Sequence, residues 1–331
     1  MKKIMNNPKH IVSEMLKGLN YLDDNLEYFP EEEVIARKKQ GQTKVGIVSG
    51  GGTGHEPAHA GYVGLGMLDA AVAGNVFASP DPVRILKGIK EANTGKGVLL
   101  VVKNYSGDIM NFSMAKELAE MDDIKVEMVV VKDDVAVEDS EHSDGRRGIA
   151  GTVFVHKIAG AMAETGASLE EVRRVAQKVI DNVRTMGASL SSCTLPSADK
   201  ANFVMEDGNM EIGMGIHGEK GIHRGKLTSS KEIAETLVKH IMEDYDFSNS
   251  EVALLVNGLG STPLMELYVL NNDVRDILNK NSIKVKDNLV GNYMTALDMF
   301  GCSVTLLKLD TELETLLKAE CDTIAMKRRG E

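Results

Sequence analysis

Tryptophan is absent from the 331 residues, and aromatic side chains make up only 4% of them. Few flat rings are therefore available for a base or a sugar to stack on, which argues against a platform for nucleic acid or carbohydrate. Positive charge is also in deficit. Thirty-eight Lys and Arg face 49 Asp and Glu, and the net charge is −11. A general nucleic-acid binder needs a basic face to neutralise phosphates, and an anionic-membrane binder needs a basic cluster. Both classes are disfavoured, whereas a small phosphorylated or neutral ligand is not. Cysteine is rare as well. Cys193, Cys302 and Cys321 form no CxxC pair, so the sequence indicates neither a disulfide framework nor a zinc ribbon. A reducing cytoplasm is the simplest compartment. Long apolar runs are missing, the run 98–102 being typical, so no membrane span is expected. Lys, Asn, Pro and Asp interrupt the first 25 residues, which excludes a signal-peptide apolar core there.

Glycine is plentiful, with 32 residues against seven prolines. The glycines cluster between apolar runs, as turns do and flexible linkers do not. No internal repeat or low-complexity segment is evident. With 43% hydrophobic residues the chain has ample core, and its length suits two domains of roughly 150–180 residues. Residues 194–210 are turn-rich. We therefore expect an N-terminal domain over 1–190 with a glycine-rich loop, and a C-terminal domain over 191–331.

Apolar positions Ile11, Met15, Leu16 and Leu19 have helical spacing. Buried strands are expected at 44–48, 69–73, 98–103 and 126–131, with helices at 82–92, from about 108 to 121, at 152–164 and at 168–185. Further strands are expected at 210–216, 252–256 and 303–309, with a helix from 264. This alternation predicts an α/β protein: two α/β domains with mostly parallel or mixed sheets and helices packed on them. Ligands in such sheets bind beyond the carboxyl ends of the strands, where the glycine-rich and polar loops fall.

Gly50 to Gly54 follow the first buried strand. Such a run permits close backbone approach and can cradle an anion or hydroxyl groups. It lacks the lysine of a P-loop and the spacing of a dinucleotide fingerprint. His55-Glu56-Pro57-Ala58-His59 formally matches HExxH. Zinc binding there requires both histidines on one continuous helix. The preceding glycines and Pro57 put His55 outside any helix, so a loop histidine that binds or catalyses is preferred, with His59 structural. Asp108 reads either as a helix N-cap or as a general acid or base at the sheet edge. Lys103, ending an apolar strand, either binds an oxygen-rich substrate or forms an ion pair at the sheet rim. His217 is either a hydrogen-bonded rim residue or a nucleophile toward a carbonyl. Asp133, Asp134, Glu138 and Asp139 read as a solvated loop in preference to a metal site. Arg146 and Arg147 contact an acidic partner or face solvent.

Together these segments resemble one family, the dihydroxyacetone-binding subunit of bacterial phosphotransferase-dependent dihydroxyacetone kinase. The likeness rests on Ser49-Gly-Gly-Gly-Thr-Gly-His-Glu-Pro57, Val102-Lys-Asn-Tyr-Ser-Gly-Asp108, Asp144-Gly-Arg-Arg-Gly148 and Gly213-Met-Gly-Ile-His-Gly218. Asn257-Gly-Leu-Gly-Ser-Thr-Pro263 and Leu297-Asp-Met299 extend it over almost the whole chain. The resemblance implies that His217 captures the substrate carbonyl as a hemiaminal. It implies His55 and Asp108 as general base and acid at the terminal hydroxyl, with Gly52, Thr53, Gly54 and Lys103 lining the substrate site. Thr53 and Lys220 stand where serine and proline are commoner, which leaves room for another small ketose. No metal and no cofactor are expected on this chain. A nucleotide-bearing partner subunit holding ADP or ATP, and a phosphohistidine-relay subunit fed by phosphoenolpyruvate, are the implied partners, and a homodimer is expected. The alternative within the same likeness is a dihydroxyacetone-sensing transcriptional co-activator.

Overall fold

The computed structural model describes residues 3–39, 41, 43–138, 145–198 and 205–330. Asp139 and Asp144 lie outside the described residues. The chain divides into two compact units that are discontinuous in sequence. The first takes Lys2–Val131, Thr152–Asp181 and Thr315–Glu331, and the second takes Lys132–Gly151 and Asn182–Glu314. The first crossing between units therefore falls at 131/132, and the 190/191 position lies just after a strand of the second unit.

The first unit opens with helix α1 (Ile11–Asn20) and strands β1 (Leu26–Phe29), β2 (Val34–Arg37), β3 (Gly46–Thr53), β4 (Gly64–Leu65) and β5 (Ala70–Val76). Helix α2 (Pro82–Ala92), β6 (Val98–Lys103), α3 (Ser106–Met121) and β7 (Val126–Val131) follow, and α4 (Thr152–Glu164) and α5 (Leu169–Asn182) come after the first crossing. The sheet order is β1-β2-β5-β3-β6-β7. Strands β5, β3, β6 and β7 are parallel, while β1 and β2 form an antiparallel edge. Residues 98–102 of β6 are fully buried, which accounts for their unbroken aliphatic run. Val48, Val72, Leu100 and Val102 pack against Ile85 and Ile89 of α2 and Phe112 and Ala115 of α3. Each of these side chains larger than alanine contributes roughly 1.5–3 kcal/mol by leaving water. Helix α2 starts where it does because Asp81 accepts from the Val83 and Arg84 amides and Pro82 fills the first turn.

The second unit contains β8 (Val183–Ser189), β9 (Asn209–Ile212), β10 (His223–Lys226), α6 (Ser230–Asp244), β11 (Glu251–Gly258), α7 (Leu264–Lys280), β12 (Lys284–Gly291) and β13 (Gly301–Lys308). Its sheet order is β10-β9-β8-β13-β11-β12. Only β11 and β12 are parallel, joined through α7, and the other pairs are antiparallel. Helices α6 and α7 bury Leu237, Ile241, Leu270 and Val274 against Leu254, Val256, Val304 and Leu306. Asn257, closing β11, satisfies its whole amide: it donates to Met294 O and Ser303 Oγ and accepts from the Tyr293 and Met294 amides. The chain returns through α8 (Thr311–Lys318) to β14 (Cys321–Thr323) and β15 (Lys327–Arg328), and β14 pairs with β4 in the first unit. The fold is therefore mixed α/β. Among the described residues no helix is long and apolar enough to cross a membrane.

Candidate active site

In the first unit β3 lies between β5 and β6. The chain runs from β3 to β5 on one side, then passes to β6 on the other, so the carboxyl ends of β3 and β6 stand where the strand order reverses. Crevices for ligands open at such points. His55 follows β3, Lys103 ends β6, and Asp108 lies in the first turn of α3. Six of the seven expected site residues, Gly52, Thr53, Gly54, His55, Lys103 and Asp108, thus lie in one unit, and all six are buried.

The glycine run is not a free loop. Gly50, Gly51 and Gly52 belong to β3 and pair with Val72, Ala73 and Gly74 of β5. A Cβ on Gly52 would meet the Phe77 and Ala78 backbone within 2.6–2.8 Å, so close packing selects glycine there. Thr53 donates its hydroxyl to Gly74 O at 3.2 Å. Gly54 has φ +97° and donates its amide to Glu56 Oε1 at 3.1 Å. His55 is fully buried and stacks on Phe77, with ring centroids 5.1 Å apart and planes 18° from parallel.

Residues 55–58 form a turn closed by the Ala58 amide on His55 O, not a helix. The two histidines of HEPAH therefore lack the helical chelate geometry of HExxH. His59 turns inward. Its Nδ1 lies 2.9 Å from His156 Nε2 and 3.3 Å from Ser49 Oγ. Ser49 donates its own proton to Val101 O, so His59 Nδ1–H is the donor to both. Burial first, then the charge of Lys103, then His156, hold the His59 imidazole well below its ordinary value. Burial and Lys103 likewise bring His156 down to about 3. Both rings are neutral at pH 7.

Asp108 is not an N-cap. Tyr105 occupies that position, and Asp108 sits three residues further on, 5% exposed, near the helix's positive end. Lys103 is fully buried, with Nζ 5.5 Å from the Tyr105 ring centroid. The sequence marks Glu56 only as the acid of the HEPAH run. Burial raises its carboxyl, partly countered by the Gly54 amide and Lys103.

In the second unit His217 lies on the turn after β9. Glu219 holds it at two points: Oε2 accepts the His217 backbone amide at 3.0 Å and Oε1 faces ring Nδ1 at 3.0 Å. Burial raises the Glu219 carboxyl, but the His217 hydrogen bond and charge, its own amide and Arg147 together bring it down to about 2. Arg147 is buried, not solvated. It donates Nε to Asp134 Oδ2 at 2.8 Å and Nη2 to Gly213 O at 2.8 Å. Asp133 and Asp134 are also buried, which corrects the expectation of a solvated loop for those two, whereas Glu138 is exposed as expected. Asp133 accepts the Ile149 and Gly151 amides at 2.7 Å each. Arg146 pairs with Asp244. Sequence reasoning misses Glu219, because its contact with His217 depends on how the turn closes.

One unit carries buried polar groups at the strand ends of a switch point, and the other carries a turn histidine held by a carboxylate; the class is a mixed α/β protein built on two six-stranded sheets and a small three-stranded one. Residues 17–325 match the Dak1 domain, and the chain belongs to that family. It is 52% identical over 328 residues to the dihydroxyacetone-binding subunit DhaK of PTS-dependent dihydroxyacetone kinase 1 from Listeria innocua, covering 98% of this chain and 100% of that protein. It is 50% identical over 313 residues to the corresponding subunit of Lactococcus lactis, covering 94% of each. A solved structure of a dihydroxyacetone kinase operon co-activator superposes with a TM-score of 0.91 at 38% identity, covering 96% of this chain and 98% of that one.

Proposed function

We propose that this protein is the substrate-binding subunit of a phosphoenolpyruvate-dependent dihydroxyacetone kinase, a cytoplasmic homodimer that presents the ketone for phosphorylation. The observation that carries the reading is 52% identity along essentially the full length of a subunit that bears that description. The presence of His217, His55, Asp108 and Lys103 in the motifs that carry the resemblance supports it. In this reading His217 adds to the carbonyl carbon of dihydroxyacetone and selects ketones over glycerol, which has no carbonyl. His55 and Asp108 take the proton from the terminal hydroxyl as its oxygen attacks phosphorus, while Gly52, Thr53, Gly54 and Lys103 surround the substrate. A separate subunit holds the nucleotide that donates the phosphoryl group, and a phosphohistidine relay recharges it. Phosphoryl transfer of this kind depends mainly on positioning and electrostatics.

The test combines the purified chain with a nucleotide-bearing partner subunit and the relay proteins. Dihydroxyacetone phosphate should form at the expense of phosphoenolpyruvate. His217→Ala should abolish ketone capture, whereas His55→Ala and Asp108→Asn should retain capture and lose roughly 10²-fold or more of turnover. Normal turnover in all three variants overturns the reading. Ketone binding without turnover, in the intact assembly, favours a ketone-sensing co-activator instead.

A further inference from the structure

The turn carrying His217 is built around one carboxylate. The Gly215 amide donates to Glu219 O and the Gly218 amide to Gly215 O, both at 3.0 Å, which folds Glu219 back over His217. The two Glu219 oxygens then take the backbone N–H and the ring Nδ1 of that one histidine. Gly215 makes this possible: a Cβ there would collide with the Glu219 carboxylate and lie 2.5 Å from Arg147 Nη1. Arg147 is in turn fixed by Asp134 and Gly213 O, and Asp134 Oδ1 accepts the Ala136 amide at 3.0 Å. An ionised carboxylate has no proton to donate, so the proton in the Nδ1–Oε1 contact belongs to His217. In the neutral imidazole, the form able to attack a carbonyl, the other ring nitrogen, Nε2, then carries the lone pair.

We propose that Glu219, backed by Arg147 and Asp134, is a positioning residue that locks His217 in the Nδ1–H tautomer and so presents Nε2 as the nucleophile toward a ketone carbonyl. This deepens the reading of His217 as the capturing residue and rests on it. In the capture step Nε2 bonds to the carbonyl carbon and the C=O π pair moves onto oxygen. That oxygen takes a proton from solvent, and the Nδ1 proton passes to Glu219 and on to solvent. Net, one N–H adds across one C=O. Glu219 thus fixes the ring before the step and takes up its proton during it.

The experiment is a long-range nitrogen–proton NMR correlation on the full chain labelled at histidine nitrogen, with His217 assigned by the signal lost in His217→Gln. The same samples are titrated with dihydroxyacetone. The unaltered protein should show His217 with its proton on Nδ1. Glu219→Ala should shift the ring toward Nε2–H and weaken ketone capture roughly 10–100-fold, the size of loss seen when the partner behind a metal-binding imidazole is removed. Glu219→Asp should recover part of both. An Nε2–H tautomer in the unaltered protein overturns the proposal without any variant having to fold. So does Glu219→Ala with tautomer and capture unchanged. Should the unaltered protein fail to bind dihydroxyacetone, the functional reading falls, while the tautomer still decides what Glu219 does.

Discussion

Gly51 faces the carboxylate of Asp108: a Cβ built on Gly51 would stand 3.2 Å from Asp108 Oδ2, at a backbone φ of +144°. A side chain there would press on Asp108 and would hold a backbone angle that L residues rarely adopt. Gly51→Ala should therefore cost about 1–3 kcal/mol of stability through strain. It should also displace Asp108, lowering turnover more than ketone binding. Urea unfolding together with a separate binding and turnover assay checks this, and a fully active, fully stable Gly51→Ala protein would refute it.

The buried His59–His156 pair predicts acid sensitivity. The unfolded chain protonates each imidazole near pH 6.5, and the folded chain resists, down to about 3 at His156. The unfolded state then binds more protons, so stability falls as pH falls. The loss begins below about pH 6.5 and approaches 1.4 kcal/mol per pH unit for each histidine. His156→Gln should flatten the dependence of the urea midpoint between pH 6.5 and 5. An unchanged slope would show that other groups govern it.

Lys103 adds to that depression, after burial, at both rings. Lys103→Met keeps the stem and removes the charge. The His156 imidazole should then titrate higher than in the unaltered protein, while burial still keeps it below 6.5. Histidine NMR titration reads this directly. A value that stays put or moves down would mean that the Lys103 charge does not reach the pair.

Asn257 predicts a purely structural loss. Asn257→Leu would leave two amides, a carbonyl and the Ser303 hydroxyl without their partner in a buried setting. Each such group costs about 1–3 kcal/mol, less where neighbours or water relax toward it. A drop of several kcal/mol in unfolding free energy is expected. A drop under about 1 kcal/mol would show that the loop reorganises around the change.

Much of the first sheet is legible from sequence, because β6 and most of β5 are buried on both faces, β3 opens on buried Ile47 and Val48, and β7, half-buried at the sheet edge, still reads as an aliphatic run. The glycines of β3 hide their strand character, since the cause is the neighbouring Val72, Phe77 and Ala78 backbone, which spacing does not report. Strand β12 escapes notice because Lys284, Lys286 and Asp287 give it a surface composition while it is half-buried at a sheet edge. Helix α6 does carry a local signature, the Ser229–Glu232 capping box. The antiparallel pairing of β8, β13 and β11 has no local signal at all. At the site, His55, Lys103 and Asp108 stand out as polar residues at, or a few positions beyond, the carboxyl ends of buried strands. Glu219, Arg147 and the His59–His156 pair do not, because their meaning lies in contacts closed by turns and by residues far apart in sequence.

The pairing of β4 with β14 sets a schedule for synthesis. Strand β4 emerges early from the ribosome, but its partner emerges only after every strand of the second unit has been made. Until then β4 is an unpaired edge, open to mispairing with other chains. Its closure joins residues distant in sequence, which is the slow kind of contact to form. A chain stalled before residue 321 would hold its main parallel sheet yet leave that edge open, making late interruption of translation a route to aggregation.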